Sequence, residues 1–241
     1  MKWGYQTNWD AEDDLYKPKR KINNRNSHNH PHIIGSYYSQ KLKRSVNYES
    51  LGERLFYYYL ELDRDVVRYY EQPVQITVEN EDGRKWTHIP DVLFFKHGSV
   101  PILCQIKENE EEARKDEKLQ LVNRYCVEFA RLHGWLYDVI YPKKLPDVYA
   151  TNLRHLKRFL RKRNYYPEWE EKVARRLIYL KSCQIRVLAE TFKDNIDPLA
   201  LIPLINHLIA VGIFTVDFNQ VISSNSVVMF NQGKYISPIS F

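Results

Sequence analysis

Residues 90–107 read PDVLFFKHGSVPILCQIK, and the fold turns on them. Two apolar runs, Val92–Phe95 and Val100–Lys107, flank His97-Gly98-Ser99, a turn signal. The pattern predicts two strands folded back on each other. Upstream, Trp86–Ile89, Val74–Val78 and Val66–Tyr70 also read as strands, with Glu81-Asp82-Gly83 a turn of the hairpin kind. Pro73, which has no N–H for a sheet ladder, separates the earliest two of these runs. Before them, Ser50 to about Asp63 places Leu51, Leu55, Phe56, Tyr59, Leu60 and Leu62 at helical spacing. Downstream, Asn109 is placed to cap a long helix, with Glu110, Glu111 and Glu112 in its first turn, where the helix dipole favours acids. Leu119, Val122, Cys126, Phe129 and Leu132 share one side of that helix, Gly134 ends it, and Trp135–Tyr141 reads as a further strand. A helix, a meander of strands, then helix and strand describe an α/β sandwich of about 100 residues.

The chemistry sits at the ends of the central strands. Asp91 opens one of them, and Gln105 and Lys107 lie near the end of the other, with thirteen residues between Asp91 and Gln105. Side chains two apart on a strand share a face, so Gln105 and Lys107 are neighbours, and a hairpin brings Asp91 within reach of both. An acid suited to a hard cation, beside an ammonium that holds water or phosphate, is what metal-dependent phosphodiester hydrolysis needs. Asp, Gln and Lys are also ordinary residues at strand ends, so the spacing alone is compatible with a plain turn. Glu53, on the helix before the strands, can bring a second carboxylate to the same metal. It also completes Ser50-Leu51-Gly52-Glu53, a capping box in which it serves the helix start instead. In that case Glu49 is the next acid to consider. His88, two residues before Pro90, either faces a phosphate or is a simple strand histidine.

The chain has 241 residues and a net charge of +6. Residues 151–181 carry 10 basic and 3 acidic side chains, which accounts for the whole excess. Within them Arg154, Lys157, Arg158, Arg161, Lys162 and Arg163 crowd onto little more than two helical turns. Such a stripe is either a footprint for a polyanion, most often nucleic acid, or a solvated helix face. Residues 146–181 read as two basic helical segments broken near Asn164–Pro167, followed by Ile185–Phe192. A helix then starts with Asp197 as N-cap and Pro198 at its first position and runs to Gly212. Pro203 should kink it or delay its start. Ile213–Phe218 and Ser226–Phe230 read as a closing hairpin, and helices followed by a hairpin are the order of a winged-helix module. At the other end, residues 10–32 are polar and rich in Asn and His, contain Lys17-Pro18-Lys19-Arg20-Lys21, and read as a mobile arm. His28, His30 and His32 alternate there, either as metal ligands or as unremarked members of a polar segment. The expected organisation is a flexible arm over 1–40, a catalytic domain over 41–145, and a basic linker with a winged-helix-like domain over 146–241.

Composition removes other classes. Apolar residues make up 44% and charged residues 27%, with only 8 Gly and 11 Pro and no period, so disorder throughout, collagen and low-complexity chains are excluded. The longest apolar stretch, Leu199–Phe214, is broken by Pro203, Asn206 and His207 and is too short for a bilayer, so no membrane partner is expected. The start, Met1-Lys2-Trp3-Gly4-Tyr5-Gln6, lacks the apolar run of a secretory signal. Cys104, Cys126 and Cys183 fit neither a zinc site nor a disulfide framework, which points to a reducing cytosol. The 18 tyrosines, among them Tyr57-Tyr58-Tyr59 and Tyr165-Tyr166, are expected mostly in cores, with base stacking the other use.

Pro90-Asp91 followed by Gln105-Ile106-Lys107, with Glu53 on a preceding helix, resembles the PD-(D/E)xK nucleases of the restriction-endonuclease fold. Gln105 stands where most members carry an acid. Glu53-Arg54-Leu55-Phe56, Glu71-Gln72-Pro73 eighteen residues later, then Asp91 and Gln105-Ile106-Lys107 are similar to the TnsA family, which also uses Gln-x-Lys. Residues 206–218, NHLIAVGIFTVDF, resemble the helix-to-strand junction of that family's winged-helix domain. TnsA is the endonuclease subunit of heteromeric cut-and-paste transposases. The resemblance implies a mixed sheet flanked by helices, with a mostly helical, winged-helix-like C-terminal domain. It also implies that Glu53, Asp91 and the Ile106 carbonyl are metal ligands, that Gln105 belongs to the catalytic set, and that Lys107 is the catalytic lysine. The cofactor would be Mg²⁺, with Mn²⁺ able to substitute. The substrate would be double-stranded DNA at transposon ends, cut on its 5′ strands. A TnsB-type transposase would cut and join the 3′ ends, and a TnsC-type AAA+ regulator would meet the C-terminal part. The alternative is a non-catalytic DNA-binding adaptor that bridges DNA and partner proteins; intact Glu53, Asp91 and Lys107 favour the enzyme. A stand-alone resolvase is disfavoured because it needs no C-terminal module.

Overall fold

The structure, a computed structural model, describes residues 3, 6–20 and 33–231. It divides into two compact units: the chain up to Leu60 together with Asp65–Lys144, and Glu61–Arg64 together with the chain from Leu145.

The first unit opens with helix α1 (Asp10–Leu15) and a hairpin of β1 (Gly35–Tyr38) and β2 (Ser45–Tyr48), followed by helix α2 (Leu51–Leu62). Then come β3 (Val66–Glu71), β4 (Ile76–Glu79), β5 (Lys85–His88), β6 (Val92–Lys96) and β7 (Ile102–Ile106). Helices α3 (Glu110–Lys115) and α4 (Glu117–Leu132) lead to β8 (Leu136–Ile140). The main sheet has the order β3-β6-β7-β8, antiparallel except for the parallel pair β7 and β8, while β4 and β5 form a separate hairpin. This is a mixed sheet with helices, as a restriction-endonuclease-like fold requires. Strands β6 and β7 are buried almost throughout, and Phe56 and Leu60 of α2 are buried with them in the core. Apolar burial on this scale supplies the main drive to fold.

Two expectations are corrected in this unit. The long helix from Asn109 is broken in two: Asn109 caps α3 by accepting from Glu111 N at 2.9 Å, and Asp116 caps α4 by accepting from Leu119 N at 3.0 Å. A short acid at an N-cap favours extended backbone at its own position, so Asp116 ends one helix as it starts the next. The described part of the arm is not free. Trp9 is buried, and Trp9 and Tyr16 pack on Phe95 with ring centroids at 5.3 and 6.1 Å. Asp13 forms an ion pair with Arg68 and accepts from the Tyr70 hydroxyl at 2.7 Å. Three separate anchors do not make a hydrophobic period, so the sequence pattern misses them. Lys21 and the His28, His30 and His32 alternation lie outside the described residues.

The second unit contains α5 (Asp147–Lys157), α6 (Tyr166–Leu180), β9 (Ser182–Gln184), α7 (Ile185–Glu190), α8 (Pro198–Ala210), β10 (Phe214–Val216) and β11 (Val227–Phe230). Its sheet is antiparallel in the order β10-β11-β9, so the expected hairpin gains a third strand from Ser182-Cys183-Gln184. Asp197 caps α8 by accepting from Leu199 N at 2.9 Å. Pro203 sits inside α8, where the bond it omits falls on the Leu199 carbonyl in a first turn whose Leu199 side chain is exposed. The basic stripe is not one helix face: α5 ends at Lys157, and Arg158–Arg163 lie in the connection to α6. Gly212 closes the turn after α8 at φ +72°, and a Cβ there would meet Arg64 Cδ at 2.2 Å. Arg64 uses that closeness to donate to the Gly212 carbonyl at 2.8 Å.

Candidate active site

The β6–β7 register pairs Val92 with Cys104, which sets Asp91 across from Gln105 at the carboxyl end of β7. Backbone bonds continue the ladder past the strand ends: Asp91 N donates to Cys104 O at 3.0 Å and Gln72 N to Asp91 O at 2.8 Å. On the other side Lys107 N donates to Ile140 O at 2.9 Å. The loop ends that carry the chemistry are therefore held as firmly as strands.

The Asp91 carboxylate is the centre. Its Oδ2 accepts from Gln105 Nε2 at 2.5 Å and from Ile106 N at 2.6 Å. The other end of the Gln105 amide accepts from His88 Nε2 at 2.9 Å. Burial pushes the Asp91 pKa up to about 8, and the nearby charge of Glu53 adds to it; the Ile106 N–H, Lys107 and Arg20 pull the other way. Burial also holds the His88 imidazole below its ordinary value, with Lys107 and Arg20 adding to the effect and the Gln105 bond opposing it. His88 is thus a fixed neighbour of the amide.

Glu53 performs the capping role. Its N–H donates to Ser50 Oγ at 3.0 Å, and its carboxylate accepts from Glu49 N at 2.9 Å. The same carboxylate is close enough to raise the pKa of Asp91. Its own pKa is raised by burial and by Glu49, against the Glu49 N–H, Ser50 and Arg20. Gly52 gives no extra sign of a metal role, since a Cβ there would make only ordinary contacts at 3.7–3.8 Å. Glu71, in the family-like stretch, is buried and held by both nitrogens of Arg44 at 2.5 and 2.7 Å, so it belongs to the scaffold.

The donor set suits a hard cation. Mg²⁺ is commonly held through one or two carboxylates with waters and substrate oxygens. Asp91, Glu53 and the Ile106 carbonyl are oxygen donors of that kind, and Glu53 is near enough for its charge to add to the burial that raises the Asp91 pKa. Gln105 now turns its NH₂ toward Asp91, so its oxygen joins the set only if the amide rotates. Among the described residues no group of three or more His, Cys, Asp or Glu side chains forms a metal cluster.

The sequence left His88 between two readings, did not show its bond to Gln105, and placed Arg20 in a mobile arm. Arg20 forms an ion pair with Glu49, and its charge acts on Glu53, Asp91 and His88. No local signal links Arg20 to residues so far along the chain.

The basic stripe lies in the second unit. Arg154, Arg158, Arg161, Lys162 and Arg163 are exposed, whereas Lys157 is half-buried, with a pKa lowered by burial against the pull of Glu61. Lys162 is engaged with Glu170 at 3.0 Å.

Residues 63–141 match the family described as TnsA-like endonuclease N terminal. That segment contains Asp91, Gln105, Ile106 and Lys107 and leaves Glu53, Arg20 and the basic stripe outside it. No curated protein matches the chain. No helix among the described residues is long and apolar enough to cross a membrane. Residues 63–141, which carry the acid, the amide and the lysine at one sheet edge, are thus similar to a TnsA-like endonuclease N-terminal domain.

Proposed function

We propose that this protein is the Mg²⁺-dependent DNA endonuclease subunit of a Tn7-type transposase, cutting the 5′ strands at transposon ends. The observation that carries the reading is the Asp91 carboxylate, buried against Glu53, with Gln105 and Ile106 N bound to it and Lys107 beside it. A divalent ion held by Asp91, Glu53 and the Ile106 carbonyl would neutralise charge on the scissile phosphate and lower the pKa of a bound water. The chain's own residues do the rest. The Gln105 amide and the Ile106 N–H fix the direction of the Asp91 carboxylate, so it need not reorganise during reaction. Lys107, one strand pair away, orients the attacking water and offsets charge on the phosphate oxygens. The bond from His88 holds Gln105 in place.

In the same reading Arg154, Arg158, Arg161 and Arg163 contact phosphates without reading bases. The second unit runs helix, helix, strand, helix, helix, strand, strand, an order that supports a winged-helix-like DNA-binding module. A TnsB-type transposase acts on the 3′ ends, and a TnsC-type regulator contacts the C-terminal part. Mn²⁺ would replace Mg²⁺.

The test is transposition in the presence of the TnsB-type partner. Asp91→Ala and Lys107→Ala should fold and bind DNA but leave the 5′ strands intact. The 3′ ends are still joined, so the product changes from simple insertion to cointegrate. Simple insertions at the wild-type rate from Lys107→Ala would remove the lysine from the mechanism.

A further inference from the structure

Arg20 is delivered to the acid cluster by a strapped segment. Helix α1 is fastened to the sheet by Asp13 on Arg68 and Tyr70, and Lys19 N donates to Gln72 O at 2.9 Å. Gln72 in turn donates its own N–H to the Asp91 carbonyl at 2.8 Å. With its amide oriented to satisfy both ends, the Gln72 side chain meets the Arg20 carbonyl and guanidinium at 3.1 Å each. The guanidinium ends on Glu49, whose N–H donates to the Glu53 carboxylate at 2.9 Å. Arg20 thus acts on three acids, Glu49, Glu53 and Asp91, with Lys107 a second cation on Asp91, where the nuclease reading puts a divalent ion and a phosphate.

We propose that Arg20 is the resident counterion of this cluster, that a divalent cation weakens its hold on loading, and that the guanidinium then binds the scissile phosphate. The proposal rests on the nuclease reading. Its chemistry is a matter of charge and geometry. Two cations competing for one set of carboxylates repel each other, so the bound arginine lowers the affinity of the site for metal. A planar guanidinium with its donors in a fork matches a phosphate better than an ammonium does. The half-exposed side chain of Arg20 can change partners without opening the core.

The experiment is Mn²⁺ binding to the full chain, followed by calorimetry and by the loss of free-ion electron paramagnetic resonance signal, alongside cleavage kinetics at saturating Mn²⁺. Arg20→Gln should bind Mn²⁺ about two- to five-fold more tightly, the range expected for losing one partly exposed competing charge. Its kcat should nevertheless fall about tenfold or more, because the phosphate has lost a partner. Arg20→Lys keeps the charge, so its Mn²⁺ affinity should match the wild type while kcat recovers only in part. Arg20→Met, of similar length, guards against a fault peculiar to glutamine. Tighter metal binding with slower cleavage is not what general damage produces. Unchanged or weaker Mn²⁺ binding in both neutral variants overturns the counterion role. No Mn²⁺ binding by the wild type overturns the nuclease reading, and this proposal with it.

Discussion

At the scale of single residues, Asp91 gives the sharpest consequence. Its pKa in the folded protein is about 8, against an ordinary 3.8, because burial and the Glu53 charge disfavour the carboxylate. The folded state therefore keeps a proton that the unfolded chain has released. The stabilisation is complete below the unfolded value and is lost as pH rises through the folded one. For the metal-free protein, urea unfolding midpoints should fall steadily between about pH 5 and pH 8. Asp91→Asn should flatten that dependence and be the more stable protein at pH 8. Identical pH profiles for the two would refute the buried-acid assignment. Glu53 calls for a different test, because it both caps α2 and faces Asp91. Glu53→Gln preserves an oxygen for the Glu49 N–H but is a far weaker ligand for a hard cation. Near-wild-type melting with loss of metal-dependent cleavage is expected. Full cleavage would make Glu53 a cap alone and move attention to Glu49.

Secondary elements show where local rules win. Asp116 stops α3 and starts α4, and its carboxylate accepts from Leu119 N. Asp116→Ala should cost about 1 kcal/mol in chemical denaturation, the usual worth of an N-cap, and leave the sheet intact. A loss below a few tenths would mean that water caps α4 equally well. The strands from β5 to β8 were legible because each apolar run is bounded by turn or proline residues, as Pro90-Asp91 and His97-Gly98-Ser99 bound β6. The meeting of Asp91 and Gln105 was legible too, since a hairpin makes it local. The break at Asp116 was not: Ala113, Leu119 and Val122 are buried on both sides of it and conceal the interruption. Strand β9 is only three residues long, too short to show a period, and owes its place to pairing with β11. Arg20 was out of reach because its partner Glu49 lies 29 residues away, with no repeating pattern between them.

For the molecule as a whole, the electrostatics are uneven. The excess positive charge sits in residues 151–181, and Arg154, Arg158, Arg161 and Arg163 are exposed, while Lys162 already has Glu170. Replacing Arg158, Arg161 and Arg163 with Gln should weaken binding about equally for transposon-end and unrelated duplexes. The plot of log affinity against log salt should flatten by up to about three units, roughly one per lost phosphate contact. An unchanged slope would return this segment to a solvated surface. The parallel pairing of β7 with β8 bears on how the molecule comes to exist at all. Asp91 and Gln105 are joined by a tight hairpin, which closes on the microsecond scale. The backbone N–H of Lys107 has its partner at Ile140, and the chain must first travel through α3 and α4 to bring that strand home. Distant pairings of this kind close late because their loop entropy is spent before any contact rewards it. The topology thus lets Asp91 meet Gln105 before β8 is in place, whereas the Lys107 N–H gains its partner only once that strand has joined the sheet.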